Sequence, residues 1–304
     1  MSNKIAYPVN SISEQHKVLA LPKAQHPLIS VFNFDEIDYS NFDHSISPLL
    51  LNLYCISLKR NVQEKITYGQ GYYDFDEGIM SFIGPHQITC NIERNQNPVG
   101  ICVVFHPDLL YKHPLQQKIK QYGFFDYAVN EALHLSEKEE QKIVDIMMCI
   151  KEEITSSIDS YSENVIISQL ELLLNYSDRY YNRQFLTRKK VSHDLLSKLE
   201  LLLEDYFSTH KTLENGLPTV NYTAEQLGVS THYLNDLLKH LTGITTQQHI
   251  HIKVIEQAKH LLSTTTMSVS ETAYLLGFNY PQSFNKLFKN QTQKTPLEFR
   301  ALFN

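Results

Sequence analysis

Residues 273–300 read AYLLGFNYPQSFNKLFKNQTQKTPLEFR. Ala273 is small enough for a second helix to cross close over it, and Gly277 follows where a tight turn needs a positive φ. Pro281 is tolerated in the first turn of the next helix. The apolar residues of that helix recur at helical spacing and are Phe284, Leu287 and Phe288. The stretch therefore predicts two short helices joined by a tight turn, which is a helix-turn-helix.

The same arrangement occurs earlier, in residues 223–241, TAEQLGVSTHYLNDLLKHL. The small Ala224 and the turn glycine Gly228 stand forty-nine residues before their counterparts in the later stretch. Thr223–Gln226 predicts a capping box on the first helix, and Ser230 predicts the N-cap of the second. The predicted buried face of the second helix consists of Leu234, Leu237, Leu238 and Leu241. One such match is compatible with an ordinary helical hairpin, whereas the duplication indicates two DNA-reading units.

A longer helix is predicted between the two units, from about Thr246 to Leu262. Its apolar stripe is Ile250, Val254, Ala258, Leu261 and Leu262. A rigid helix of this length can hold two recognition helices about 34 Å apart, which is one turn of DNA.

Residues 192–303 resemble the DNA-binding domain of the AraC/XylS family of transcription regulators. The resemblance is carried by residues 273–300, through the alanine, the Gly-Phe pair, the FNKLFK run and the TPLEFR ending. It implies an all-α domain, residues 193–304, whose two recognition helices enter successive major grooves of double-stranded promoter DNA. It also implies RNA polymerase as a partner if the protein is an activator, and homodimerisation as a further expectation.

The resemblance also implies which side chains meet DNA. The predicted DNA-binding residues are Thr231, His232, Asn235, Asp236 and Lys239 in the first unit, and Pro281, Gln282, Ser283, Lys286 and Lys289 in the second. Lys239 and Lys289 are expected at phosphates. Chemically, Gln282 can pair with adenine, and Lys286 can pair with guanine O6 and N7.

Two positions depart from the family pattern. Asp236 stands where the family usually has arginine. Its carboxylate can accept a hydrogen bond from cytosine N4 but repels phosphates, so a base contact and a structural role both stay open. Gln293 stands where the family usually has glycine, before Thr295-Pro296. We expect this change to alter the loop and to preserve the fold, and we expect the first unit to read DNA more weakly than the second.

Bulk charge gives little support to DNA binding. The whole chain has 27 Lys+Arg and 33 Asp+Glu, a net charge of −6. From Val220 onward the counts are 7 and 5, a net charge of +2. The DNA-binding prediction therefore depends on motif geometry. The alternative is an interaction protein, independent of any effector, that docks on a protein partner and binds little DNA.

The first part of the chain, residues 1 to about 108, is predicted to be rich in β-strands. Its short apolar runs are LISVFNF at 28–34, LLLNLYCISL at 49–58, GIMSFIG at 78–84 and VGICVVF at 99–105. Turn-like sequences separate these runs, which favours a sandwich or a small barrel.

Residues 109–184 are predicted to be helical. A capping box at Ser136–Glu139 precedes apolar residues at helical spacing. A second helix, about 163–182, carries apolar residues on more than one face, namely Val165, Ile166, Ile167, Leu170, Leu172, Leu173 and Leu174. Packing under the β-rich domain and a dimer interface are both open explanations. The basic stretch 185–192 is predicted to be the linker between the domains.

The first domain, residues 1–184, is similar to the cupin-like sensor barrel of the same family, followed by dimerisation helices. The matching stretches are 71–87, 105–110 and 182–185. The chain is thus predicted to be an α+β multidomain protein, with a small-molecule effector as a further expectation. The candidate effector-binding residues are Asn52, Tyr54, Phe82 and His86. Strand alternation would put Leu50, Asn52, Tyr54 and Ile56 on one face. The polar groups among these residues can equally form hydrogen bonds with each other or with the backbone.

Enzyme chemistry finds little support in the sequence. Catalytic cupins use a His-x-His pair, whereas the matching stretch holds Tyr72, Asp74, Asp76 and Glu77. His249 and His251 are two apart on a predicted helix and point to different faces, which makes them poor metal partners. The chain is therefore predicted to be no enzyme and to need no metal or cofactor. The alternative is a metal-dependent cupin enzyme fused to a DNA anchor.

The location is predicted to be cytoplasmic. The chain has no run of about eighteen apolar residues that could span a membrane, and its first residues lack the apolar core of a signal peptide. Its four cysteines are far apart, which suits reduced thiols.

Overall fold

The computed structural model describes residues 6–38, 48–60, 78–89, 99–128, 131–156, 159–187, 189–209 and 211–303. The chain divides into two compact units, an N-terminal unit, Met1–Thr187, and a C-terminal unit, Arg188–Asn304. The division falls inside the stretch predicted to be a linker, 185–192.

The described part of the N-terminal unit contains two β-sheets. The strands are β1 (Tyr7–Val9), β2 (Ile29–Asn33), β3 (Leu49–Leu51), β4 (Tyr54–Arg60), β5 (Ile79–Ile83), β6 (Gln87–Thr89), β7 (Val99–Phe105) and β8 (Leu133–His134). One sheet has the order β1-β3-β6 and the other β2-β7-β4-β5-β8. The β1-β3 pair is parallel and the other pairs are antiparallel. All four predicted apolar runs supply strands.

The run 49–58 is not one strand, as the predicted alternation required. It breaks at Asn52 and Leu53, so that β3 and β4 belong to different sheets. The Asn52 N–H donates to Val9 O at 3.0 Å and so ends the β1-β3 ladder. The prediction that Leu50, Asn52, Tyr54 and Ile56 share one face is therefore wrong, because alternation does not continue across a change of sheet.

An apolar core joins the two sheets. It contains side chains from both sheets, from α1 (Ile12–Val18) and from the segment after β2. Its buried members are Val9, Ile12, Val18, Leu19, Phe32, Phe34, Ile37, Leu51, Leu53, Cys55, Cys102 and Val104. Burying this much apolar surface is the main stabilising contribution to the N-terminal unit.

Three more α-helices follow β7: α2 (Leu115–Lys118), which precedes β8, and α3 (Glu137–Thr155) and α4 (Ser162–Thr187), which come after it. The predicted capping box of Ser136 and Glu139 begins α3. Helix α4 runs five residues beyond its predicted end and packs on α3. Its buried apolar residues include Ile166, Leu170 and Leu173, whereas Val165 and Leu172 are 37% and 44% exposed. The contacts in the described part of the chain therefore leave part of the second apolar face of α4 exposed to solvent.

The C-terminal unit is helical throughout its described part. Its helices are α5 (Lys189–Ser208), α6 (Lys211–Asn215), α7 (Val220–Leu227), α8 (Thr231–Thr242), α9 (Thr246–Thr264), α10 (Val269–Leu275), α11 (Pro281–Thr292) and α12 (Pro296–Arg300). The predicted linker 185–192 is helical over 185–187 and 189–192, because Leu, Lys and Gln in and beside this stretch are good helix formers.

One apolar core runs through the C-terminal unit. Its buried members are Leu199, Leu203, Phe207, Ala224, Leu234, Leu238, Ile250, Val254, Ile255, Ala258, Leu262, Ala273, Leu276, Phe278, Phe284 and Phe288. The predicted stripe of α9 is at the centre of this core, and it packs against α5, α8, α10, α11 and α12.

Candidate nucleic-acid interface

The first helix-turn-helix consists of α7, a tight turn and α8. Helix α7 begins at Val220, three residues before the predicted capping box at Thr223–Gln226. Its N-cap is Thr219, whose side chain accepts a hydrogen bond from Tyr222 N at 3.1 Å. Thr223 lies one turn inside the helix, is buried, and donates its hydroxyl to Thr219 O at 2.8 Å. The predicted capping box is therefore wrong, because the earlier threonine already caps the helix.

The turn of the first helix-turn-helix has the predicted geometry. Gly228 adopts φ 70°, in the left-handed region that favours glycine. The Val229 N–H donates to Ala224 O at 3.1 Å, which closes the end of α7. The Ser230 hydroxyl accepts from Tyr233 N at 3.2 Å and so caps α8, as predicted.

The outward face of α8 is partly open. His232 and Lys239 are exposed, while Thr231, Asn235 and Asp236 are half-buried. Asn235 Oδ1 accepts from Thr246 N at 3.4 Å, at the start of α9. The structure thus places all five predicted residues on one short helix, with part of the Asn235 amide engaged in holding α9.

The second helix-turn-helix consists of α10, its turn and α11. A capping box of Ser268 and Glu271 begins α10. Gly277 adopts φ 90°, and Pro281 is in the first turn of α11. Gln282, Ser283, Lys286 and Lys289 are exposed and Pro281 is half-buried. Phe284 and Phe288 are fully buried beneath them.

The repeat extends beyond the two predicted units. Helices α8 and α11 each have 12 residues. Thr242 and Thr292 occupy their last positions and donate their hydroxyls to the carbonyls four residues earlier, both within 2.8 Å. Thr245 and Thr295 then cap the next helices with complete capping boxes. A T-x-x-T-x-x-[QE] pattern at 242–248 and 292–298 signals this part of the repeat and was missed.

The two recognition helices differ in charge at one equivalent position. Matching Thr242 to Thr292 aligns Asp236 with Lys286 and Lys239 with Lys289. Helix α11 therefore offers two cations where α8 offers one cation and one carboxylate. Because DNA binding responds to the charge beside the phosphates, α11 is the better suited of the two for binding DNA.

The connecting helix α9 has a length that suits two DNA-reading units. Its 19 residues, at about 1.5 Å per residue, make it about 28 Å long. His249 and His251 on this helix do not come together. His249 Nε2 lies 2.9 Å from Thr242 Oγ1, and His251 Nε2 lies 2.8 Å from the Gln247 amide.

The four candidate effector residues form two separate groups. Asn52 and His86 contact each other, with Oδ1 and Nδ1 2.8 Å apart, and Asn52 Nδ2 also donates to Asn10 Oδ1. Tyr54 and Phe82 both contact the ring of Phe125. Burial, followed by the nearby carboxylate of Asp126, raises the pKa of Tyr54. Asn52 and His86 thus share a hydrogen bond, whereas Tyr54 and Phe82 share an aromatic contact.

A cavity of about 100 Å³ lies elsewhere in the N-terminal unit, between β2, the segment after α1 and the end of α3. Its lining includes His16, Lys23, Glu36 and Lys151, and none of the four candidates. Lys151 Nζ donates to Glu36 Oε1 at 2.6 Å. Burial raises the pKa of Glu36, but hydrogen bonds from Lys151 and from Asn33 outweigh this effect and leave that pKa lowered.

Metal ligands do not cluster in the part of the chain that the structure describes. Over those residues, no three His, Cys, Asp or Glu side chains form a group that could hold a metal ion. Tyr72, Asp74, Asp76 and Glu77 lie outside the described residues. Across the same described ranges, each helix is too short or too polar to cross a membrane.

Comparisons with known proteins point to the same region. The helix-turn-helix domain family matches residues 223–302. The transcriptional activator RhaS of Escherichia coli is 31% identical over 144 residues, which cover 46% of this chain and 45% of RhaS. The chain therefore spans less than half the length of the curated relatives it matches.

Two solved structures are similar to this region. The C-terminal domain of the response regulator yesN from Fusobacterium nucleatum is 31% identical, with 33% of this chain and 96% of that one covered and a TM-score of 0.30. The DNA-binding domain of AdpA, in complex with a target DNA, is 25% identical, with 36% and 91% covered and a TM-score of 0.31.

The matched region and the two glycine turns define the C-terminal unit as a double helix-turn-helix, DNA-binding domain. This domain is similar to the DNA-binding domains of AraC/XylS-type transcription regulators.

Proposed function

We propose that the chain is a sequence-specific transcription regulator in which α8 and α11 enter successive major grooves on one face of the duplex. The observation that carries the proposal is the duplicated helix-turn-helix, with a left-handed glycine in each turn and a polar outward face on each second helix. RhaS is a transcriptional activator by name. By extension, we propose that this chain also activates transcription, with RNA polymerase as its partner. Such a regulator works in the cytoplasm.

The roles of the outward side chains follow from their chemistry. Gln282 would pair with adenine and Lys286 with guanine, each through two hydrogen bonds, while Lys239 and Lys289 would bind phosphates. The remaining predicted residues, Thr231, His232, Asn235, Pro281 and Ser283, would lie against the groove. Asp236 would accept from cytosine N4 or hold the first helix-turn-helix together. In both cases α11 contributes the larger part of the affinity.

Selection from a random duplex library tests this function. Purified full-length protein is used at about 50 mM and about 200 mM salt, beside a Gln282→Ala, Lys286→Ala variant. For the wild type we expect an enriched motif with two elements about 10 base pairs apart. For the variant we expect only one of these two elements to be enriched. No enrichment at either salt concentration would contradict the proposal. That result would favour the alternative, an interaction protein that docks on a protein partner and binds little DNA. The net charge of −6 and the carboxylate of Asp236 support this alternative.

For the N-terminal unit we propose a cupin-like sensor domain, residues 1–184, joined through 185–192 to the DNA-binding domain, 193–304. The two described sheets and the apolar core that joins them support it. The effector would occupy the cavity beside Lys151. This cavity is smaller than the roughly 150 Å³ cavity that holds benzene, so we expect a compact effector with a charged group. Thermal unfolding with a panel of small carboxylates and amines should reveal a stabilising ligand. The Lys151→Met variant should lose this stabilisation. If no ligand stabilises the wild type more than the variant, the proposed effector site in this cavity is contradicted.

We also propose that the chain forms a homodimer through α4. Val165 and Leu172 are seven residues apart on one helix face and are exposed in the single chain, so a second copy would bury them. Sedimentation of the wild type and of Leu172→Glu should give a dimer and a monomer. A monomeric wild type would contradict this proposal.

A further inference from the structure

The turn of the second helix-turn-helix touches a part of the chain that precedes the first. Thr212, in α6, is 3% exposed and donates its hydroxyl to Leu275 O at 2.7 Å, across 63 residues of sequence. Leu275 is the last residue of α10, where a helix leaves carbonyl groups without partners of their own. The hydrogen bond therefore satisfies a helix end and fixes α6 against it.

Two glycines extend this contact. A Cβ on Gly277 would lie 2.6 Å from Gly216 C and 2.9 Å from Leu217 N, so the two backbones are in direct contact. Gly216 O in turn accepts a hydrogen bond from Tyr206 Oη of α5 at 3.1 Å. The second turn is thereby linked through Gly216 to α5.

Helix α5 completes a closed path between the two recognition helices. It packs against α7 and α8 of the first helix-turn-helix, and against α6 and α9. Helix α11 is thus held relative to α8 twice, once through α9 and once through α5, α6 and the second turn. A single helix can bend along its length, whereas a second connection restrains that bending.

We infer that Thr212 and the Gly216–Gly277 contact form a positioning bridge that sets the distance between α8 and α11 on DNA. The inference rests on the proposed function, because it assumes that both helices read DNA. Thr212 is not among the outward residues of either helix, so it acts through the position of α11. Its loss should relax the spacing that the protein accepts between two DNA elements.

The test compares Thr212→Val, which keeps the shape and removes the donor, with Thr212→Ser, which keeps the hydroxyl. The probes are duplexes carrying the two selected elements at the selected spacing, the same elements with one base pair inserted or deleted, and the α11 element alone. We expect Thr212→Val to lose about five- to tenfold in affinity for the selected spacing, as for one buried hydrogen bond. It should discriminate less between spacings and bind the single element as the wild type does. Thr212→Ser should behave as the wild type.

A second readout needs no DNA. Hydrogen exchange of the full chain should be faster in Thr212→Val over 276–281, at the second turn, and unchanged over 228–231, at the first turn. Unchanged exchange at both turns, or equal acceleration at both, would overturn the bridge. Wild-type spacing discrimination in Thr212→Val would overturn it as well. If the wild type binds a duplex with one element as tightly as a duplex with two, the proposed function is contradicted. In that case the hydrogen-exchange result alone tests whether the bridge exists.

Discussion

The backbone of Gly277 lies directly against that of Gly216. Both residues adopt positive φ, 90° and 71°, which favours glycine, and at Gly277 the contact also leaves no room for a Cβ. Gly228, the turn residue of the first helix-turn-helix, has φ 70° and no described atom within 4 Å of where its Cβ would lie. The duplicated turns therefore share a conformation and differ in their surroundings.

This difference predicts unequal effects of alanine at the two turns. Gly228→Ala should lower the stability of the C-terminal unit by about 1–2 kcal/mol, the usual cost of the left-handed conformation. Gly277→Ala should cost several kcal/mol more, because backbone atoms must also move apart. Calorimetry of the full chain measures both, and Gly277→Val should fail to form the second helix-turn-helix at all. Equal losses for the two alanine variants would show that the Gly216 contact yields without cost.

The ends of α8 and α11 predict a stabilising substitution. Gly243 and Gln293 occupy the same left-handed position after their helices, with φ 78° and 61°. Gln293→Gly relieves a strain of about 1–2 kcal/mol and loses the hydrogen bond from Gln293 Nε2 to Asn290 O. The expected net gain in unfolding free energy is about 0.5–1 kcal/mol.

Gly243→Ala is the matched control for that gain. It introduces the strain that Gln293→Gly removes, so it should destabilise the unit by about 1 kcal/mol. Both variants keep the outward faces of α8 and α11, and their affinity for DNA should not change. A destabilised Gln293→Gly would mean that the glutamine side chain contributes more than its backbone costs.

The charge difference between the recognition helices predicts opposite effects on DNA binding. Lys286→Ala should weaken binding by about 1–3 kcal/mol and relax the preference at one base pair, if Lys286 contacts guanine. An equal loss on all sequences would assign Lys286 to a phosphate instead. Anisotropy titrations on the selected duplex and on single-base variants distinguish the two outcomes.

Asp236→Asn separates the two roles left open for that residue. Removing a carboxylate that repels phosphates should tighten binding to all duplexes, most strongly at low salt. If Asp236 instead reads cytosine, the substitution should change the preference at one base pair. A fall in thermal stability with unchanged DNA affinity would establish the structural role.

Burial of two histidines on α9 predicts that the C-terminal unit loses stability in mild acid. Burial lowers the pKa of His249 and of His251, and nearby Glu200 opposes this effect only for His249. A lowered pKa means that the unfolded chain binds the proton more tightly. Stability is therefore present above pH 6.5, the ordinary value, and falls as the pH drops below it. Thermal unfolding between pH 7.5 and about 5 measures this, and His249→Gln with His251→Gln should flatten the curve.

The sequence predicted the C-terminal unit better than the N-terminal one, for physical reasons. Gly228, Gly277 and Ser230 act locally, so their roles follow from conformation and capping alone. Thr223 was assigned wrongly because two threonines, four residues apart, can both cap a helix, and the position of Pro218-Thr219 decides between them. The contact between Gly216 and Gly277 depends on how distant segments pack, and sequence spacing carries no signal for it.

The β-rich part shows the same limit. The apolar run 49–58 correctly predicted strands, but alternation cannot reveal that the chain changes sheets at Asn52 and Leu53. The two faces of α4 were also visible as a pattern. Only the structure separates buried residues of α4, such as Leu170, from exposed ones such as Leu172.

Hydroxyl-radical footprinting on the selected duplex tests the central claim, that α8 and α11 both contact DNA. We predict two protected segments on one face of the duplex, centred about 10 base pairs apart. Lys286→Ala should weaken one of them, and Lys239→Ala the other. A single protected segment that responds only to Lys286→Ala would contradict the claim and leave α8 as a structural element. No protection above that on random duplex would contradict sequence-specific binding altogether.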